Sequence, residues 1–293
     1  MGFRITVDVF SGRPNPSWEI RDPQQVTDLR GLFHEQRPAL APPGTGAVLL
    51  GFRGLRVEAT DSVTAQGLPP VFTVGGPGSP PASAELAEAL LDTMPVEAPP
   101  PGEQAPAVLT PEFRELVRSE IRSARTWPPA EPTERPPADG ADCPYDVTSD
   151  GADLWNNSTV CPHNNCYNYA VNDRTDTFAQ PGRAHQYDLT KVTCADVLTG
   201  ALKDGLRSWG VNCYTAGTKR YKVALVTGAF GTQRDFHWYR LCTDNTWWHK
   251  PGACPITNLD NAGKIIADPQ KANRGNYTDW CTYMQSGDSV IID

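Results

Sequence analysis

Cysteine is confined to one half of this 293-residue chain. All eight cysteines lie between Cys143 and Cys281, and all seven lysines follow residue 190. Such a density is typical of a disulfide framework formed in an oxidising compartment. The alternative is a set of reduced, buried cysteines, because a thiol packs like a small apolar side chain. The two halves of the chain therefore differ in chemistry, and the compartment stays open.

Two proline-rich tracts, Pro95 to Pro106 and Pro128 to Pro137, predict extended spacers rather than core. The second tract coincides with the change in cysteine and lysine usage. We therefore predict an N-terminal module over residues 1–127, a linker over 128–142 and a cysteine-rich domain over 143–293.

The N-terminal module is predicted to be a small α+β unit. Apolar and polar residues alternate over residues 3–10, which indicates a half-buried strand. Asp22 followed by Pro23, and Thr110 followed by Pro111, are typical helix starts, and Ser83 is predicted to cap a third helix. The module has no cluster of Cys or His and no glycine-rich phosphate loop, so we assign it no chemistry.

The cysteine-rich domain is predicted to place a helix before an antiparallel sheet. Thr193 is the expected cap of that helix. The stretch from Val223 to Val226 indicates a buried strand, and a hairpin is expected over residues 236–249. A last strand is predicted from Ser289 to Ile292. Both parts of the chain are thus expected to belong to the α+β class.

Charge and hydropathy exclude several classes of partner. The net charge of −8 argues against nucleic acid, whose binding depends on clustered Lys and Arg. No apolar run approaches the roughly 20 residues that cross a bilayer, and the N-terminus has no signal-peptide pattern. We predict no membrane span and no cofactor, and the oligomeric state stays open.

Cys166 is the strongest candidate for a reactive group. It follows Asn164 and Asn165 and precedes a run that can start a helix. The positive end of the peptide dipoles at a helix N-terminus favours the thiolate, which is the nucleophilic form.

Two later histidines could complete a catalytic site. An attacking thiol needs a base and a group that orients this base. His237 is predicted to be the base and His249 the orienting residue, because imidazole titrates near neutral pH. His185, which follows a turn, competes with His237 as the base.

The order of a cysteine at a helix start, a histidine on a following strand and a polar residue on the next strand resembles the NlpC/P60 branch of papain-like thiol hydrolases. The resemblance covers residues 155–255 and includes the interval from His237 to His249. It implies a papain-like fold and cysteine nucleophile chemistry. Tyr167 and Asn168 stand where this family usually has a small residue.

Hairpin geometry leaves the third catalytic residue open. A two-residue turn at Asp244 and Asn245 would point His237 and His249 to opposite faces. A three-residue loop restores a common face but is expected to separate the rings by about 13 Å along the ladder. Asp235, Asp244 and Asn245 therefore remain alternatives to His249.

An oxyanion hole is predicted at the backbone N–H of Cys166, with Asn164 or Asn165 as a side-chain partner. Helix capping is the competing role for both asparagines. Trp238 is predicted to contact substrate. It is one of a set of aromatic residues that could line a groove or pack in the core: Trp155, Tyr167, Tyr169, Trp238, Trp247 and Trp248.

Other roles for Cys166 compete with nucleophilic catalysis. It could form a disulfide, or it could bind zinc together with Cys161 and His163, although no second ligand pair follows at matching spacing. We predict a thiol-dependent amide hydrolase or acyltransferase acting on a peptide-like or small amide substrate. The alternative is a non-catalytic, disulfide-stapled extracellular binding or matrix domain.

Overall fold

A computed structural model describes residues 2–43, 49–61, 65–95, 109–124, 143–214, 217 and 219–293. The chain divides into two compact units. The first comprises Met1–Val9, Asn15–Pro128 and Gly231–Gln233, and the second comprises Phe10–Pro14, Pro129–Phe230 and Arg234–Asp293. Each unit combines helices with an antiparallel sheet, so the predicted α+β class is confirmed. The predicted linker over residues 128–142 lies outside the described residues, and the proposed domain limits stay a prediction.

The first unit contains a four-stranded sheet in the order β2-β1-β3-β4. Its strands are β1 (Phe3–Asp8), β2 (Ser17–Ile20), β3 (Gly54–Ala59) and β4 (Val71–Val74). Phe3, Ile5 and Val7 are fully buried, as the alternating pattern predicts.

Among the described residues of this unit, three α-helices accompany the sheet: α1 (Pro23–Glu35), α2 (Pro81–Asp92) and α3 (Pro111–Ala124). The carboxylate of Asp22 accepts hydrogen bonds from the N–H groups of Gln24 and Gln25, so the predicted cap is confirmed. The predicted cap at Ser83 is wrong. This residue lies inside α2, where its hydroxyl accepts a hydrogen bond from the Gly75 N–H at 3.1 Å.

The second unit contains a five-stranded sheet in the order β5-β9-β6-β7-β8. Its strands are β5 (Arg207–Ser208), β6 (Tyr221–Phe230), β7 (Gln233–Leu241), β8 (Trp247–His249) and β9 (Asp279–Ser286). The strand predicted from Ser289 to Ile292 is wrong, because the last strand ends at Ser286. Ile292 instead packs in the hydrophobic core.

The described part of the second unit contains the α-helices α4 (Ala152–Trp155), α5 (Cys166–Val171) and α6 (Cys194–Lys203), and 3-10 turns over Cys161–His163 and Arg183–His185. The Thr193 hydroxyl caps α6 by accepting from the Asp196 N–H, as predicted. The core between helices and sheet includes Tyr167, Val197, Val223, Leu225, Phe236, Trp238 and Met284.

Two disulfides cross-link the second unit. Cys143 is bonded to Cys213, and Cys194 is bonded to Cys281. The register between β6 and β9 shifts between Leu225 and Val226, which face Thr282 and Trp280, so Cys281 is the extra residue of a β-bulge. The second disulfide therefore joins the start of α6 to this bulge.

Within the described residues, no helix combines the length and apolar character that a membrane crossing requires.

Candidate functional site

The hairpin of β7 and β8 closes with a three-residue loop, Thr243 to Asn245. The N–H of Cys242 donates to the carbonyl of Thr246 at 3.0 Å, and Leu241 pairs with Trp247. Asn245 has a φ of 59°, the left-handed conformation that closes such a loop after a tight turn. The two-residue turn at Asp244 and Asn245 is thus replaced by an odd-numbered loop.

This loop brings His237 and His249 together on one face of the sheet. His249 pairs directly with Tyr239, so the two histidines are offset by two residues along the ladder rather than by four. Their ring centroids are 4.9 Å apart, and the expected separation of about 13 Å was wrong. Nε2 of His237 lies 3.0 Å from Nδ1 of His249.

A backbone carbonyl fixes the proton positions of this pair. Nε2 of His249 lies 3.0 Å from the carbonyl oxygen of Leu259, which can only accept. A neutral His249 therefore carries its proton on Nε2, and its Nδ1 accepts from the Nε2–H of His237. Nδ1 of His237 is then the ring nitrogen that keeps a lone pair.

Cys166 begins α5 and lies against the backbone of β7. Its Sγ is 3.9 Å from the carbonyl oxygen of Phe236. The residue has no solvent exposure. Burial, followed by the nearby carboxylate of Asp235, raises the pKa of the Cys166 thiol well above its usual value, and the Trp238 N–H and Lys250 oppose this only in part. The expected thiolate is therefore not favoured, because desolvation outweighs the dipole of a helix of six residues.

The predicted oxyanion donors already have protein partners. The N–H of Cys166 is directed at the carbonyl of Ser11 at 3.5 Å. The oxygen of Asn165 caps α5 by accepting from two backbone N–H groups, and its amide donates to the carbonyls of Gly12 and Ala179 at 2.7 Å. Helix capping thus accounts for Asn165.

The amide of Asn164 is equally occupied. Its Nδ2 donates to the carbonyl of Val160 and to the carboxylate of Asp176, while its oxygen accepts from the N–H groups of Thr175 and Asp176. These bonds fix the loop that follows α5, and they leave neither donor of Asn164 for a substrate oxygen.

Trp238 lies in the core rather than at a surface. It is fully buried, and its ring packs on that of Tyr167 with centroids 5.3 Å apart. Trp155 and Tyr169 form a second buried pair, with centroids 5.7 Å apart. The predicted contact of Trp238 with substrate stays a prediction, and the packing supports its competing core role.

Asp235, an alternative third catalytic residue, anchors the segment 10–14. Its carboxylate accepts from the N–H groups of Ser11, Gly12 and Arg13 and from the hydroxyl of Tyr277 at 2.5 Å. Burial raises its pKa, although these donors act in the opposite direction. The arrangement holds the backbone of this segment in place, and no sequence pattern indicates the part played by Tyr277.

His185, the competing base, contacts a buried carboxylate. Its Nδ1 lies 3.0 Å from Oδ1 of Asp204. The other oxygen of Asp204 accepts from the hydroxyl of Tyr167 at 2.9 Å and from the N–H of Gly182 at 2.7 Å. Burial raises the pKa of Asp204. His185 is a predicted candidate, whereas no pattern in the sequence indicates its partner Asp204.

Lys250, also missed, is a buried ammonium that joins two loops. Its Nζ donates to the carbonyls of Cys161 and Gly252, each at 2.6 Å. Burial lowers the pKa of Lys250. The motif Lys-Pro-Gly after a strand predicts a turn but gives no sign that the lysine points inward.

Half of the cysteines are thiols. Cys161, Cys166, Cys242 and Cys254 are buried and form no disulfide. Cys161 and Cys166 are buried whereas His163 is exposed. Among the residues that the structure describes, no group of three His, Cys, Asp or Glu side chains could hold a metal ion, so the zinc alternative finds no ligand set there.

A cleft of about 490 Å³ lies elsewhere in the second unit. Asp260, Lys264, Ile265, Asp268, Lys271 and Asn273 are among its lining residues. None of the predicted site residues lines this cleft.

Comparison with known proteins identifies a relative. No family model and no solved structure matches the chain. Insoluble matrix shell protein 1 of Ruditapes philippinarum is 38% identical over 139 residues, which are 47% of this chain and 90% of the shell protein. The chain belongs to the family of this shell protein.

Proposed function

We propose that this chain is a non-catalytic, disulfide-stapled protein of an extracellular matrix. The observation that carries the proposal is the match to insoluble matrix shell protein 1, nearly the whole length of which is covered. A protein that is 38% identical over 90% of its length is expected to share the fold of the matching region.

The disulfides support an extracellular setting. They connect residues 70 and 87 positions apart, so each restrains a long segment of the second unit. Such bonds form and persist in oxidising compartments. A matrix protein gains from them because it must stay folded outside the cell.

The state of Cys166 also supports a non-catalytic role. A nucleophilic cysteine is partly exposed and has a lowered pKa. Cys166 is fully buried and its pKa is raised, which is typical of a structural thiol.

The net charge limits the kind of matrix partner. With a net charge of −8, the chain repels polyanions and attracts cationic polymers and surfaces. We therefore expect binding to the matrix to weaken as salt is added.

Co-sedimentation tests the proposal. Purified chain with both disulfides formed is mixed with insoluble matrix prepared from the shell of Ruditapes philippinarum, with serum albumin as an acidic control protein. We expect the chain to pellet with the matrix while albumin stays in solution. The Cys166→Ala variant should pellet to the same extent as the unmodified chain. A chain that stays in the supernatant with albumin would refute the proposal.

A thiol hydrolase is the second candidate, and one observation favours it. Cys166 begins a helix beside β7, and Nε2 of His237 on that strand lies 3.0 Å from Nδ1 of His249. This is the order of groups that a papain-like enzyme uses. The candidate requires an opening of the structure that exposes Cys166.

Alkylation separates the two candidates. The folded chain is treated with iodoacetamide near neutral pH, and labelled cysteines are identified by mass spectrometry. The hydrolase predicts fast labelling of Cys166, and loss of peptide amide hydrolysis in Cys166→Ala but not in Cys242→Ala, a matched change at another buried thiol. The matrix proposal predicts slow labelling at both positions and no hydrolysis.

A further inference from the structure

Two buried thiols of the second unit lie on segments that already bind each other. Cys161 is in the 3-10 turn before α5, and Cys254 ends the turn that follows β8. Lys250 ties these segments together through the carbonyls of Cys161 and Gly252. Neither cysteine belongs to the two disulfides of the structure.

A direct contact limits the distance between Cys161 and Cys254. Sγ of Cys161 lies 3.2 Å from the carbonyl oxygen of Ala253, the residue before Cys254. The Cα of the next residue is about 2.8 Å from a carbonyl oxygen in a trans peptide. Sγ of Cys161 is therefore within about 6 Å of the Cα of Cys254. The proposed bond requires the Cα atoms of the two cysteines to come within the range of about 4.4–6.8 Å that disulfides adopt.

The turn that carries Cys254 is compact. The Cys254 N–H donates to the carbonyl of Pro251 at 3.1 Å, and Gly252 between them has a φ of 56°. Close by, the N–H of Ile256 donates to the side chain of Asn156 at 2.8 Å. The two segments are thus held side by side both at the cysteines and beyond them.

The charge at this place favours thiol chemistry. The ammonium of Lys250 interacts electrostatically with the sulfur atoms of both Cys161 and Cys254. A cation beside a thiol stabilises its thiolate, the form that attacks a disulfide.

We propose that Cys161 and Cys254 form a third disulfide when the chain folds in the presence of a small-molecule disulfide such as oxidised glutathione. One thiol loses its proton, and the thiolate attacks glutathione disulfide, giving a mixed disulfide and one glutathione thiol. The second thiolate then displaces the other glutathione. Two cysteine thiols are oxidised and one glutathione disulfide is reduced to two thiols. The bond cross-links the 3-10 turn to the turn after β8.

This inference goes beyond the matrix proposal. It concerns the covalent structure of the chain, and it holds or fails whether or not the chain binds a matrix.

Disulfide mapping tests the inference. The full chain is refolded in a glutathione redox buffer, unfolded in denaturant without reductant, alkylated with iodoacetamide and digested with chymotrypsin. We expect three disulfides, with the peptide of Cys254 linked to that of Cys161. Cys161 and Cys166 share a peptide, so fragment ions must assign the bond to Cys161. Cys166 and Cys242 should carry the alkyl group.

Two variants complete the experiment. Cys254→Ser should contain two disulfides and an alkylated Cys161, whereas Cys242→Ser should keep all three. The inference is overturned if Cys161 and Cys254 both alkylate in the refolded chain, or if either one is bonded to another cysteine.

Discussion

Nε2 of His237 lies 3.0 Å from Nδ1 of His249, across a hairpin whose loop contains an odd number of residues. The contact continues from Nε2 of His249 to the carbonyl oxygen of Leu259. The two rings therefore link β7, β8 and the loop after β8 in one hydrogen-bonded series. Because the series is buried, its loss is costly in free energy.

We first predict that His249→Phe destabilises the second unit by about 2 kcal/mol or more. The phenyl ring fills a similar volume, but it can neither accept from His237 nor donate to the carbonyl of Leu259. Urea unfolding followed by tryptophan fluorescence measures the change. The same substitution at the exposed His34 of α1 should alter stability by less than about 0.5 kcal/mol. Equal effects at both sites would show that the buried series adds nothing.

Second, the conformation of Asn245 sets the hairpin loop. Asn245→Gly should be tolerated, because glycine adopts the left-handed conformation without strain. Asn245→Val should cost about 1–2 kcal/mol. Thermal unfolding of the two variants provides the comparison, and a valine variant as stable as the glycine variant would contradict this description of the loop.

Third, replacing both Cys194 and Cys281 by alanine should lower the free energy of unfolding by about 2–5 kcal/mol. The disulfide restrains a long segment and fixes the bulge of β9 to α6. The measurement is denaturant unfolding without reductant. A control in strong reductant should abolish most of the difference, because the unsubstituted chain then lacks the bond as well.

Fourth, Asp196 should make stability depend on pH. Burial alone would raise its pKa, but the hydroxyl of Tyr187 and the N–H groups of Thr190, Lys191 and Val192 together lower it. A carboxyl with a lowered folded pKa contributes stability above its unfolded pKa, about 3.9, and loses it as the pH falls through the folded pKa.

Asp196→Asn is therefore expected to cost about 1–2 kcal/mol at pH 7 and progressively less below about pH 4. Unfolding curves across this pH range provide the measurement. Asp188→Asn, at an exposed position nearby, serves as the control and should be nearly neutral. A deficit that stays constant from pH 7 to pH 3 would show that ionisation of Asp196 does not contribute.

Local signals in the sequence predict the elements better than the site. Asp22 before Pro23 and the hydroxyl of Thr193 are found as helix caps because their hydrogen bonds reach only two or three residues along the chain. The hairpin near residues 236–249 also lies where β-branched and aromatic residues predict it. Its loop length was missed, because an Asp-Asn pair looks the same in a two-residue turn and in a loop closed by a left-handed Asn245.

The chemistry of the candidate site depends on distant residues. Nothing near Cys166 in sequence indicates that the carbonyl of Ser11 meets its N–H, or that complete burial raises the pKa of its thiol. Disulfide partners are equally hidden, since eight cysteines allow 105 complete pairings. The last strand was misplaced because the bulge at Cys281 breaks its alternation.

The carboxylate of Asp235 receives three of its four hydrogen bonds from the backbone at Ser11, Gly12 and Arg13. A recombinant fragment starting at Cys143 would contain the whole five-stranded sheet and both disulfides. It would nevertheless leave the carboxylate of Asp235 without its three backbone N–H donors. Truncation at the proline-rich tract should therefore yield a poorly soluble polypeptide, and adding back a short peptide that spans residues 10–14 is the simplest way to rescue it.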